Sequence, residues 1–107
     1  MIIPMFKKSD LLAYWHTCEK VVCEHINVDI IDLKQKLRMR NIVEARQIIW
    51  HLVHTEFKDR VTLKKLGERY CKDHATALHG IRCVNDYLQT DRVFKATYHQ
   101  IKIKLAI

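Results

Sequence analysis

Lys72-Asp-His-Ala-Thr-Ala-Leu-His-Gly-Ile-Arg-Cys-Val84 is the stretch that decides how this chain folds. Its spacing predicts a helix with a polar tip. Asp73 serves as N-cap, because its carboxylate can accept the backbone N–H groups that a first helical turn leaves without partners. His74, Ala75 and Thr76 then fill the first turn. Leu78, Ile81 and Leu88 follow at helical spacing as an inward stripe, with Val84 and Asn85 at its margins. Polar groups thus gather at the tip, and apolar ones begin a turn later. Just upstream, Thr62-Leu-Lys-Lys-Leu-Gly-Glu-Arg-Tyr70 reads as a short amphipathic helix capped by Thr62. Leu63, Leu66 and Tyr70 share one face, and Gly67 leaves that face shallow enough for close approach. Cys71 and Lys72 form the tight turn between the helices. Helix, short turn, helix over about residues 62–89 is the helix-turn-helix pattern. A recognition helix that enters a major groove end-on needs such a tip, because its first residues meet the base edges.

The whole chain sets further bounds. Its 107 residues suit one domain, 1–107, able to bury a core without metal or disulfide support. Two Gly and one Pro favour long helices over a loop-rich β fold. No apolar run reaches the roughly 18 residues of a membrane span, and Met1 to Phe6 is too short for a signal peptide. A cytoplasmic chain is expected. Cys18, Cys23, Cys71 and Cys83 show no paired framework spacing and are expected as reduced thiols. The formal charge is +7, and residues 34–82 carry twelve Lys or Arg against five Asp or Glu, which accounts for all of it. A local basic surface of this kind suits a polyanion.

Taken in order, Ser9 to Ile26 predicts a first helix with Ser9 as cap and Leu11, Leu12, Trp15, Val22 and Ile26 inward. Asn27 and Val28 break it. Asp29 caps a short helix from Ile30 to about Lys36, with Ile30, Ile31 and Leu33 inward. The basic run that follows reads as a surface loop holding Arg38 and Arg40 in solvent. Ile42 to Phe57 is the central core helix, through Ile42, Ala45, Ile49, Leu52, Val53 and Phe57. Lys58, Asp59 and Arg60 form a polar turn. A last helix begins after Thr90 and packs through Val93, Phe94, Tyr98, Ile101 and Leu105. Trp15 and Trp50 lie in helical stripes and are expected in the core.

Three segments together carry a family resemblance: Ile42-Val-Glu-Ala-Arg-Gln-Ile-Ile49, Leu66-Gly-Glu-Arg-Tyr70 and Lys72 to Arg82. They resemble the C-terminal DNA-binding domain of the bacterial replication initiator DnaA, over roughly residues 10 to 105. The resemblance implies an all-α fold of about six helices with a Trp-repressor-like helix-turn-helix. It implies recognition of a short asymmetric duplex site, the DnaA box, by a monomer. By position, Arg38 would enter the minor groove, and Asp73 and His74 would touch bases in the major groove. Thr76 matches the second of two tip threonines, and Ala75 stands in place of the first, offering a methyl to a thymine methyl. Arg46, Gln47, Leu63 and Lys64 would contact or support the phosphate backbone, and Lys72, which leads into the tip, is expected among the DNA-binding residues. Cys83 stands where a lysine often contacts phosphate.

The chain has no Gly-x-x-x-x-Gly-Lys phosphate loop. No nucleotide, cofactor or metal is therefore expected, and ATP hydrolysis is not expected of this chain. With Met1 ahead of a full first helix, a small stand-alone protein is as reasonable as an excised domain. Cys71, His74, His79 and Cys83 form a Cys-x2-His-x4-His-x3-Cys string. His74 and His79 are separated by about 7.5 Å along a helix and well round it, which opposes tetrahedral convergence on zinc. His79 is expected at the core margin. No nucleophile, base and orienter fall into a defensible set, so no enzyme is expected. Two rival functions use the same residues: a transcriptional regulator with an unrelated operator, and a basic module that meets an acidic protein.

Overall fold

Asp10 starts the first helix by accepting the Ala13 N–H at 3.0 Å. The computed structural model describes residues 10–36 and 39–106, so Ser9, expected as a cap, and Arg38, expected to reach a minor groove, lie outside the described residues. Among these residues are five α-helices and one short 3-10 helix. They are α1 (Leu11–Ile26), the 3-10 turn Ile30–Lys34, α2 (Arg40–Glu56), α3 (Leu63–Glu68), α4 (His74–Thr90) and α5 (Arg92–Ala106). The all-α architecture and the helix-turn-helix are as the sequence predicts.

α2 runs through the middle. Its stripe of Ile42, Ala45, Ile49, Leu52, Val53 and Phe57 is buried as expected, together with Ile48 and Trp50. α1, α4 and the 3-10 turn pack against it, while α5 closes the far side against α1 and α4. One connected set of buried side chains reaches from Trp15 on α1 to Ile101 on α5. His51 crosses this core in its neutral form. Its Nε2 lies 2.7 Å from Asn85 Oδ1 on α4, and its Nδ1 lies 2.6 Å from the Tyr98 hydroxyl on α5. Burial holds its pKa below the ordinary histidine value.

Several inward assignments turn outward in the structure. Leu12 is 66% exposed, since it sits about 120° round the helix from Cys18 at the centre of the buried face. Tyr14, Cys18 and Cys23 fill that face instead. Burial pushes the Cys18 and Cys23 thiols up to about 12, so both stay protonated. On the 3-10 turn only Leu33 is buried. One turn of so tight a helix has room for a single inward row, and Ile30 and Ile31 are left exposed. Val93 is 77% exposed, because it lies about 100° or more from both Phe94 and Tyr98. Arg40 opens α2 rather than standing in the loop.

In α4 the buried line is Ala77, Gly80, Ile81 and Val84, while Leu78 and Leu88 are only half-buried. Gly80 lies against the Trp50 ring. A Cβ at Gly80 would fall 2.8 Å from Trp50 Cε3.

The turn between α3 and α4 is closed by two backbone bonds. The Lys72 N–H donates to Gly67 O at 2.9 Å, and the Cys71 N–H to Glu68 O at 3.1 Å. This is a Schellman closure, and its left-handed position is Cys71 at φ 59°. An L side chain there is strained, and glycine relieves it at some cost in unfolded-chain entropy. Cys71→Gly is expected to stabilise the chain by about 0.5 kcal/mol, raising the thermal midpoint by roughly 2–4 °C. A melt of the two proteins side by side checks this, and an unchanged or lower midpoint refutes it.

Candidate nucleic-acid interface

The tip of α4 stands clear of the core. Asp73 caps it by accepting the Thr76 N–H at 2.8 Å. Bonds from the Thr76 side chain and backbone, with a smaller effect from His74, hold the Asp73 carboxyl below its usual range. His74, Ala75 and Thr76 are all exposed. The first turn of a capped helix carries a partial positive charge as well as these side chains.

Beside the tip lies a hollow of about 670 Å³, lined by Lys36, Val43, Arg46, Gln47, Trp50, Lys72, Thr76 and His79. It brings together four of the residues singled out from the sequence: Arg46, Gln47, Lys72 and Thr76. Lys36 marks where the basic loop leaves the 3-10 turn, so that end of the loop shares the hollow with the tip. Lys72 Nζ also reaches Gln35 O at 3.4 Å. A second hollow of about 310 Å³ continues along α4, with Arg40, Gln47, His79 and Cys83 among its lining. His79 is exposed there rather than packed at the core margin, with Nε2 3.4 Å from Cys83 Sγ.

Arg46 does not present its charge to solvent. It is only 5% exposed. Its Nε donates to Leu33 O at 3.0 Å and its Nη2 to Gln35 O at 3.3 Å. The guanidinium ties the 3-10 turn to α2 and so sets where the basic loop begins. Of the two stated possibilities, contact or support, the geometry favours support. Lys64 is exposed and Leu63 half-buried at the start of α3, where Thr62 caps the helix by accepting the Lys65 N–H at 3.1 Å. Neither lines the hollow beside the tip.

Two polar braces seat the helix-turn-helix, and neither was read from the sequence. Glu19 on α1 is 4% exposed. Arg69 donates to its two carboxylate oxygens at 2.8 and 2.9 Å, and the Tyr70 hydroxyl donates at 2.6 Å. Trp15 Nε1 in turn donates to that hydroxyl at 2.9 Å, and the Arg69 guanidinium lies over the Trp15 ring. On the other side, Trp50 Nε1 donates to Leu66 O at 2.7 Å. α1 and α2 thus each hold α3 and the turn through polar bonds. The only trace of the first brace in the sequence is a charged residue inside the apolar face of α1.

Comparison with known proteins agrees with the helix-turn-helix fold. The family model described as "Bacterial dnaA protein helix-turn-helix" matches residues 16–84. A chromosomal replication initiator protein DnaA from Bacteroides thetaiotaomicron is 36% identical over 85 residues, covering 78% of this chain and 17% of the relative. Those from Bacteroides fragilis and Flavobacterium psychrophilum are 33% and 32% identical, covering 79% and 83% of this chain and 18% of each relative. The chain spans less than a fifth of the length of these relatives. With the match running from mid-α1 through the tip and most of the buried face of α4, the chain belongs to the bacterial DnaA helix-turn-helix family.

Proposed function

We propose that this chain binds double-stranded DNA, laying the tip of α4 in the major groove and the basic loop with Arg38 toward the adjacent minor groove. The observation that carries this reading is the exposed, capped tip of His74, Ala75 and Thr76 beside a hollow lined by Lys36 and Lys72. Affinity would come from cations that meet phosphates and release counterions. Specificity would come from the few side chains that reach base edges. His74 can donate to a base acceptor or pack on a thymine methyl. Asp73 keeps a carboxylate near the groove floor, where a cytosine or adenine amino group can donate to it. Arg38 suits a narrow A·T minor groove, where negative potential concentrates.

The relatives are chromosomal replication initiators by name, which points to a role in replication initiation or its control. The chain would act as a single non-enzymatic domain, monomeric when dilute, without nucleotide or cofactor. The free cysteines suit a reducing cytoplasm. No described helix is long and apolar enough to cross a membrane.

Selection of bound sequences from random duplexes tests the proposal. A recovered site that resembles the DnaA box supports the full reading. An unrelated recovered site would support the regulator alternative, and failure to retard any duplex at low salt would refute DNA binding. On the selected site, His74→Ala is expected to cost about 1–3 kcal/mol on cognate DNA and little on scrambled DNA. Lys64→Ala is expected to weaken both equally and to lower the salt slope by about 1. Equal losses from His74→Ala on both duplexes would remove its base-reading role.

A further inference from the structure

Two exposed apolar features lie outside this interface, and their charges are opposite. The first is a groove of about 630 Å³ at the junction of α4 and α5. Leu88, Ala96 and Tyr98 contribute its apolar walls, and Arg92, Lys95 and Lys102 stand around it. Residues 92–107 contain no Asp or Glu, so α5 supplies only cations to the rim. Leu88 is about 21 Å along the α4 axis from His74, which separates the groove from the recognition tip. The second feature is the turn Asp29-Ile30-Ile31-Asp32. Ile31 is 68% exposed and Ile30 38%, and an aspartate stands on either side of the pair.

We propose that the Asp29 to Asp32 turn of one copy docks into the α4–α5 groove of a second copy, head to tail. Ile31 fills the apolar walls, while the two carboxylates meet Arg92, Lys95 and Lys102. Both halves of the match lie on the same chain: α5 borders the groove with cations, and Asp29 and Asp32 flank the two isoleucines, with the turn's one cation, Lys34, at its far end. DNA phosphates satisfy the cations but leave the apolar walls empty. An anionic membrane meets the groove but offers nothing to the acidic turn. The two surfaces differ, so the contact is heterologous. Each added copy leaves one free turn and one free groove, and a row of copies can grow. A single turn in a groove falls short of the roughly 1,000 Å² expected of a stable interface. The contact is thus weak in dilute solution and acts where copies are held close together.

The test needs no DNA, so its outcome is separate from that of the function proposed above. Sedimentation equilibrium of the whole chain at low salt, up to about 1 mM, is expected to show an average mass that climbs with concentration and falls as salt is added. Ile31→Asp removes the apolar knob, and Lys95→Glu with Lys102→Glu reverses the groove. All three positions are exposed, and circular dichroism confirms that each variant folds; Ile31→Ser replaces the first if it does not. Each variant alone is expected to lose self-association at least tenfold. A mixture of the two variants is expected to form one-to-one pairs that do not grow, because one retains its groove and the other its turn. A wild-type chain that stays monomeric throughout overturns the proposal. So does either variant that still self-associates, or a mixture that does not pair. Wild-type binding to anionic vesicles that is lost in the groove variant, with no self-association, would assign the groove to membranes instead.

Discussion

Gly67→Ala is expected to lower the stability of this protein by roughly 2–3 kcal/mol, although the site is helical and alanine is the better helix former. Propensity alone predicts a gain of about 1 kcal/mol. The packing predicts a larger loss. A Cβ at Gly67 would lie 2.6 Å from both Lys72 O and Asp73 O, and 2.9 Å from the Asp73 carbonyl carbon. These are backbone atoms and cannot swing aside like the end of a flexible side chain. Asp73 O accepts the Ala77 N–H at 3.2 Å, within the first turn of α4, and Gly67 O accepts the Lys72 N–H. Making room for one methyl therefore strains the turn and the start of the recognition helix together. Overpacking against fixed backbone costs about 3 kcal/mol or more, which outweighs the propensity term. Urea unfolding should show the midpoint falling by about 1–2 M at unchanged slope. An alanine variant as stable as the wild type would mean that α3 and the turn do not approach this closely.

Glu19→Ala is expected to cost about 3 kcal/mol, and its effect should depend on pH. Removing the carboxylate leaves the Arg69 fork and the Tyr70 hydroxyl without their acceptor in a mostly dry site, which costs more than an exposed pair would. Burial alone raises the Glu19 pKa. Bonds from Arg69 and Tyr70 and the Arg69 charge outweigh that, so the carboxyl titrates below its ordinary range in the folded protein. The unfolded chain then takes up this proton first as pH falls. The contribution of Glu19 is complete above the unfolded value of about 4.3 and is lost as pH drops through the lower folded value. Wild type and variant should differ most near neutral pH and converge in acid. A stability difference that does not narrow below about pH 4 would contradict the ion pair. Glu19→Gln keeps the shape and an acceptor, so a smaller loss with a flatter acid limb is expected.

The features closest to the proposed function were the most legible in the sequence. Asp73 and Thr62 were readable as caps because a cap bond is local: the side chain and the N–H that it meets are three residues apart. The core stripe of α2 was readable because large aliphatic residues recur there at helical spacing. What stayed hidden depends on partners far along the chain. Glu19 is a charge set in the apolar face of α1, and its partners Arg69 and Tyr70 lie 50 and 51 residues away. Whether Arg46 contacts or supports the phosphate backbone is not legible until its bonds to the carbonyls of Leu33 and Gln35 are seen. An apolar-stripe reading of α4 favours bulk and so misses Ala77 and Gly80, and at Gly80 the Trp50 ring requires the absence of a side chain. Leu12, Ile31 and Val93 erred the other way. Periodicity marks an apolar residue as suited to burial, but only the neighbouring elements determine how wide the buried face is.

The positions of the two indoles have a practical consequence for spectroscopy. Trp15 and Trp50 both lie against the Tyr70 ring, at centroid distances of 6.3 and 5.9 Å. One donates to the Tyr70 hydroxyl, and the other to the Leu66 carbonyl of α3, in the helical hairpin formed by α3 and α4. Both emitters therefore watch a single joint. Their fluorescence should follow the seating of that hairpin on the body of the protein, without any label, and should register its loosening even where helix content measured by circular dichroism has not changed.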